Sequence, residues 1–176
     1  MHIELRIKPP PIERIVRLLS NGKQPNSSEI SKLEQAIKRG HLPKDFTWWS
    51  LKNSRGWALA HEAARYGHLP EDFNDWALAT KDGTTVAHIA AEYGMLPSSF
   101  NQWGLAKING QTVAHVAAEH GTLPANFTQW DLSFPNGWTV GHTAANYGQL
   151  PPNFTQWGLK TNTGVSVRDI AEAPWR

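Results

Sequence analysis

One phrase, G-x-[ATS]-[VL]-[AG]-H-x-A-A-x-[YH]-G-x-L-P-x-x-F-x-x-W-x-L, recurs at a strict 27-residue period. Its four full copies begin at Gly56, Gly83, Gly110 and Gly137, and a broken fifth begins at Gly164. A fixed period of this length specifies stacked supersecondary units rather than one closed globule. Such a stack offers an extended surface and no ready-made catalytic cleft.

Each copy reads as two short helices. In the copy from Gly83, the Thr85 hydroxyl is placed to cap the first helix. Val86, Ala87, Ala90 and Ala91 then fall on one face at helical spacing. Gly94 follows the last helical residue, where a left-handed stop is free of a Cβ clash. Leu96-Pro97 reads as the start of a second helix, with proline where its missing N–H does no harm. Leu96, Phe100 and Trp103 stand at i, i+4 and i+7 as its apolar stripe. Lys107 to Gly110 reads as a turn into the next copy.

The pattern extends both ways. Gly40 to Leu51 matches the second half of a repeat, and Ser28 to Arg39 reads as its divergent first helix, capped by Ser27 or Ser28. Ile12 to Leu19 reads as a further amphipathic helix. The expected organisation is an N-terminal capping segment over 1–27 and five repeats over 28–163. Their bounds are 28–55, 56–82, 83–109, 110–136 and 137–163, with a truncated capping half-repeat over 164–176 that stops at Pro174. Terminal units that deviate are what a solenoid requires, because their outer faces meet water.

Two columns of side chains look chemical at first sight. The aromatic columns are Phe46, Phe73, Phe100, Phe127 and Phe154 with Trp49, Trp76, Trp103, Trp130 and Trp157. They could be a ligand ladder, but a short segment has few residues with which to bury area, and Phe and Trp supply about 150–250 Å² each. A core role is therefore preferred. The other column is His61, His88, His115 and His142. Neighbouring helices lie about 8–10 Å apart, too far for two imidazoles to share a zinc ion about 2.0–2.1 Å from each nitrogen. No metal is expected; buried histidines bonding backbone groups between repeats are.

No phosphate loop, nucleophile elbow or paired-carboxylate motif is present, so neither catalytic residues nor a cofactor is expected. Cysteine is absent, which removes disulfide and thiolate chemistry. No apolar run is long enough for a membrane span. Met1 to Pro11 lacks the apolar stretch of a secretory signal. The expected location is cytoplasmic, or outside the cell by an export route that leaves no readable signal. Three Asn-x-Ser/Thr triplets, at Asn26, Asn126 and Asn153, read as capping or chance in that setting.

The phrase Gly83-x-Thr85-Val86-Ala87-His88-x-Ala90-Ala91-x-x-Gly94 resembles the ankyrin repeat family, whose T-P-L-H-x-A-A-x-x-G signature aligns with it. The match covers the first helix of four copies and, weakly, a fifth. The departures are a period of 27 rather than 33, Val or Leu for the family's proline, and residues missing after Gly94 and its equivalents. The resemblance implies an all-α solenoid of short helix pairs whose projecting β-hairpin is shortened or missing. It also implies a monomeric, non-catalytic protein-binding scaffold, of the kind found in bacterial effectors.

Positions that vary between copies are free to serve a partner. On the first-helix face these are Glu62, Arg65, Ile89, Glu92, Val116 and Glu119, with Trp57 and Trp138 after the glycine. Ile89, Val116, Trp57 and Trp138 are apolar where the repeat does not demand it, so they read either as an exposed binding patch or as padding between repeats. The change of sign from Arg65 to Glu92 and Glu119 would orient a partner.

Charge supplies the alternative function. Residues 1–55 carry 11 Lys/Arg against 5 Asp/Glu, a net +6, while residues 56–176 carry 6 against 10, a net −4. A basic end of scattered residues, among them Arg6, Lys8, Arg14, Arg17, Lys23, Lys32, Lys38 and Arg39, could bind nucleic acid or an anionic surface, or simply be a solvated cap.

Overall fold

The structure, a computed structural model, describes residues 11–173. Arg6, Lys8 and the stop at Pro174 lie outside them. Seven helices follow in order: α1 (Pro11–Ser20), α2 (Ser27–Lys38), α3 (Leu59–Tyr66), α4 (Val86–Glu92), α5 (Val113–His120), α6 (Val140–Asn146) and α7 (Val167–Ala171). The protein is an all-α repeat solenoid, with successive helices packed on one another within each of two compact units, Met1–Glu71 and Asp72–Arg176. Among the described residues, β-structure amounts to isolated antiparallel bridges such as Lys52 with Ala58 and Ala106 with Thr112. The projecting hairpin of each repeat is thus shortened to one bridge around a tight turn.

In the first unit, Ile12, Ile15, Val16 and Leu19 of α1 form one stripe at i, i+3, i+4 and i+7. Ile15 and Leu19 are buried with Leu33 and Ile37 of α2, Leu59 and Ala63 of α3, and Phe46. The cap of α2 lies one residue before the expected ones. Asn26, not Ser27 or Ser28, is its N-cap: Asn26 Oδ1 accepts the Glu29 N–H at 2.9 Å, and the Glu29 carboxylate accepts the Asn26 N–H at 2.9 Å. This reciprocal capping box satisfies two amide donors that a lone serine would leave to water.

The second helix expected in each copy is not formed. Leu96 to Leu105 makes two separate turns, closed by Phe100 N–H to Pro97 O at 2.9 Å and Leu105 N–H to Gln102 O at 3.1 Å. The reason lies in the next helix. An α-helix starts with four N–H groups that have no partner inside it. In α5, the Val113 and Ala114 N–H groups are satisfied by Leu105 O at 2.9 Å and Trp103 O at 3.1 Å. Val86 and Ala87 use Leu78 and Trp76 in the same way, and Val140 and Gly141 use Leu132 and Trp130. The Trp and Leu carbonyls therefore point sideways at the following helix and satisfy its first turn, an orientation that the two separate turns hold. The i, i+4, i+7 spacing of Leu96, Phe100 and Trp103 is instead met across a turn, where the two rings meet edge to face at 5.0 Å.

Those rings are the core of the second unit. Phe73, Trp76, Phe100, Trp103, Phe127, Trp130, Phe154 and Trp157 form one unbroken ladder of edge-to-face contacts, with centroids 5.0–5.7 Å apart. Trp76, Trp103 and Trp130 are buried, whereas Trp157 at the last rung is half-buried beneath the Arg168 guanidinium at 5.5 Å. Edge-to-face geometry places the positive ring edge on the negative ring face and adds about 0.5–1.5 kcal/mol per pair to the area each ring buries. In the first unit Trp49 is half-buried, with its ring edge-to-face on Phe46 at 4.9 Å.

Candidate interaction surface

Three histidines of the second unit have the same surroundings. The Thr85 N–H donates to His88 Nδ1 at 3.2 Å, so that nitrogen carries no proton. The Thr85 hydroxyl accepts the His88 N–H at 3.3 Å and donates to Nδ1 at 2.7 Å. Hydrogen then resides on Nε2, which donates to Gln111 O of the following copy at 3.0 Å. His115 repeats this with Thr112 and Trp138 O, and His142 with Thr139 and Val165 O. The imidazole fills the role Glu29 plays in α2 and Asp169 in α7. A carboxylate accepts only; the neutral ring also has a proton to give, and uses it to fasten the next hairpin. Burial pushes the His88 imidazole down to about 4, against the opposing pull of the Gln111 carbonyl. His115 is pushed down to about 4 for the same reason, opposed by Trp138 O. Both rings are neutral at pH 7 and both their nitrogens are engaged by the scaffold.

His61 is fully buried in α3, but its copy carries Ala58 where the others carry threonine, so α3 has no side-chain cap.

The residues expected to meet a partner divide by burial. Ile89 and Val116 are not surface residues: they retain 6% and 5% exposure and belong to the core. α4 packs on α5 and α5 also on α6, and on these helices of seven and eight residues the wheel position opposite the alanine stripe still faces protein. Trp57 and Trp138 are half-buried, lying on the histidine of their own copy with centroids 5.4 Å and 5.3 Å apart, and Trp138 Nε1–H donates to Thr143 Oγ1 at 2.9 Å. Their apolar bulk serves the scaffold on at least one face. Glu62 is half-buried on α3, and Arg65 is exposed beside the Tyr66 ring at 5.9 Å. Glu92 is exposed, and Glu119 is half-buried, accepting the Tyr147 hydroxyl at 2.9 Å.

Glu92 and Glu119 stand on an edge of the second unit made by the ends of α4, α5 and α6. Thr122 Oγ1–H donates to Ala91 O at 2.6 Å, joining the end of α5 to that of α4, and the Tyr147–Glu119 bond joins α6 to α5. Tyr93, His120 and Tyr147 occupy the same position in successive copies, immediately before the glycine. Tyr93 is 39% exposed, Tyr147 48% and Met95 48%, and these are three of the four exposed large apolar side chains among the described residues. The fourth, Ile108, is a turn tip. Sequence reasoning passed over this edge because a ring stands at this position in all four full copies and so reads as architecture. The signal was that a tyrosine sat where the neighbouring copy tolerates a histidine, which a packed site would not.

No family model matches the chain, and no curated protein matches it. The fold is similar to that of a chain in the solved structure of a predatory endopeptidase from Bdellovibrio bacteriovorus in complex with an immunity protein. The identity is 18%, the TM-score 0.58, and the alignment covers 85% of this chain and 92% of that one. Among the described residues no helix is long and apolar enough to cross a membrane.

Proposed function

We propose that the chain is a non-catalytic, ankyrin-like scaffold that binds a protein partner through the helix-end edge of its second unit, with Glu92, Tyr93, Met95, Glu119, His120 and Tyr147 in the contact. The observation that carries this reading is the row of exposed Tyr93, Met95 and Tyr147 flanked by carboxylates. A soluble fold exposes apolar side chains together where something covers them, and tyrosine is enriched at the energetic centres of interfaces. Helices clasped by their neighbours hold these groups in place, so little ordering entropy opposes binding. The ankyrin-like reading rests on the threonine-capped helices α4, α5 and α6 and on the left-handed glycines Gly67, Gly94, Gly121 and Gly148, which stand at the family's signature positions. The non-catalytic reading rests on the histidines, whose nitrogens serve caps and hairpins rather than a substrate. The solved structure of similar fold holds two proteins in complex, which accords with a scaffold that binds protein.

The test is capture from an extract of the source cells with the wild-type chain, a fourfold variant Glu92→Lys, Tyr93→Ala, Glu119→Lys, Tyr147→Ala, and a control Lys81→Glu. A protein retained by wild type and control but lost by the fourfold variant is the expected result. Undiminished retention by a folded fourfold variant would move the site off this edge.

A further inference from the structure

The first unit carries a groove of about 510 Å³ between the start of α1 and the outer face of α2. Ile12 and Ala36 lie along it, and Ser28, Ser31, Lys32, Gln35, Arg39 and His41 line the rest. The lining holds two permanent cations, a histidine, two hydroxyls and an amide, and no carboxylate. Ser28, Ser31, Lys32, Gln35 and Arg39 recur at three- and four-residue spacing, so they share one face of α2 over three turns. Lys32 and Arg39 are exposed, and no ion pair joins either to a carboxylate among the described residues.

We propose that this groove binds an extended acidic peptide segment of a partner protein, with Lys32 and Arg39 pairing its carboxylates and Ser28, Ser31 and Gln35 bonding its backbone. Three observations select that occupant. The charge is of one sign, which attracts anions and rejects cations. The row of polar groups along the helix matches a chain running past it rather than a compact ion. The lining has no Phe, Tyr or Trp, and His41 is its one ring, so it offers no platform for a run of stacked bases, whereas single-stranded nucleic acid is held chiefly by such stacking on top of backbone charge. The size falls within the roughly 300–1,000 Å³ of ordinary ligand clefts. This groove belongs to the first unit, and its assignment stands apart from the helix-end edge of the second.

The test is fluorescence anisotropy of a labelled oligoglutamate peptide titrated with the full chain at low and physiological ionic strength. The wild type is expected to bind. Lys32→Glu with Arg39→Glu is expected to weaken binding by about tenfold or more, since it reverses two paired charges. Lys23→Glu with Lys44→Glu makes the same change in net charge outside the groove and is expected to shift affinity by less than about twofold. Circular dichroism confirms that both variants retain the helical fold. Equal losses in the two variants would overturn the site, because net charge alone would then account for binding. Absence of binding by the wild type would overturn it as well. So would an oligonucleotide of matched charge that binds more tightly with the same dependence on Lys32 and Arg39, or inorganic phosphate that displaces the peptide as well as free peptide does.

Discussion

Acidification is expected to loosen the second unit through its buried histidines His88 and His115. In the folded chain the His88 and His115 imidazoles titrate at about 4, against an ordinary value of 6.5. A depressed imidazole binds no proton in the folded state between those values, whereas the unfolded chain does. The unfolded state is therefore favoured as pH falls from 6.5 towards 4, and stability from this source is complete above 6.5. At pH 5 the linkage relation gives a loss of about 2 kcal/mol for each of the two rings, or about 4 kcal/mol together. Against a typical domain stability of about 5–15 kcal/mol this is a large fraction. Asp82 is held down at about 2 by the hydroxyls of Thr80 and Thr84, so its contribution is lost only below pH 4 and does not enter this window. The assay is urea unfolding at pH 7.5, 6.5, 5.5 and 5.0, followed by tryptophan fluorescence of the ring ladder and by far-ultraviolet circular dichroism. The double variant His88→Gln, His115→Gln should be less stable at pH 7.5 and should lose less on acidification than the wild type. A wild-type stability that stays level from pH 7.5 to 5.0 would refute the burial of neutral imidazoles. So would a double variant with an undiminished pH response.

Three further outcomes follow from particular contacts. Trp103→Ala removes a buried ring edge-to-face with Phe100 and Phe127 and is expected to lose about 3–5 kcal/mol; Trp57→Ala removes a half-buried ring and should lose clearly less, and equal shifts in urea midpoint would place Trp57 in the core. Gly137 has φ +80° and an added Cβ would lie 2.7 Å from Asn162 N, whereas Gly164 has φ +86° and open space around it. Gly164→Ala should therefore cost about 1–2 kcal/mol for the left-handed backbone alone and Gly137→Ala measurably more, with equal melting temperatures as the contrary result. Thr112→Val deletes the hydroxyl that both accepts the His115 N–H and donates to Nδ1, and should lose about 1–2 kcal/mol by thermal unfolding, in the range of a lost N-cap. An unchanged melting temperature would show that the threonine does not fix the ring.

Period, first helices, left-handed glycine stops and buried aromatics were all legible in the sequence, because each repeats at fixed phase and has one physical cause. The second helix was misread because spacing alone does not distinguish one helical face from two successive turns. Deciding between them needed the destination of the Trp103 and Leu105 carbonyls, which lies in the next copy. The candidate surface was less legible. Ile89 and Val116 vary between copies and are nonetheless buried, since α4 and α5 are too short to present a fully solvated face. The same position holds half-buried Glu62 and buried Thr143 in the other copies, so variation there does not mark an exposed face. Tyr93 and Tyr147 were not singled out because their position belongs to the recurring phrase, yet both are exposed.

The ring ladder has a further consequence for how such a chain changes length. Within the second unit each junction between copies is the same joint, a tryptophan of one copy against the phenylalanine of the next: Trp76 on Phe100 at 5.7 Å, Trp103 on Phe127 at 5.4 Å and Trp130 on Phe154 at 5.2 Å. Excising residues 110–136 would bring Trp103 to Phe154 with both partners already shaped for the contact, and duplicating the same segment would add one more rung of the same kind. A seam indifferent to which copies it joins lets a lineage add or discard whole 27-residue blocks by recombination. Surface residues such as Tyr93 or Glu119 travel with their block, so the outer face can be reshuffled in discrete steps while the interior keeps a single rule.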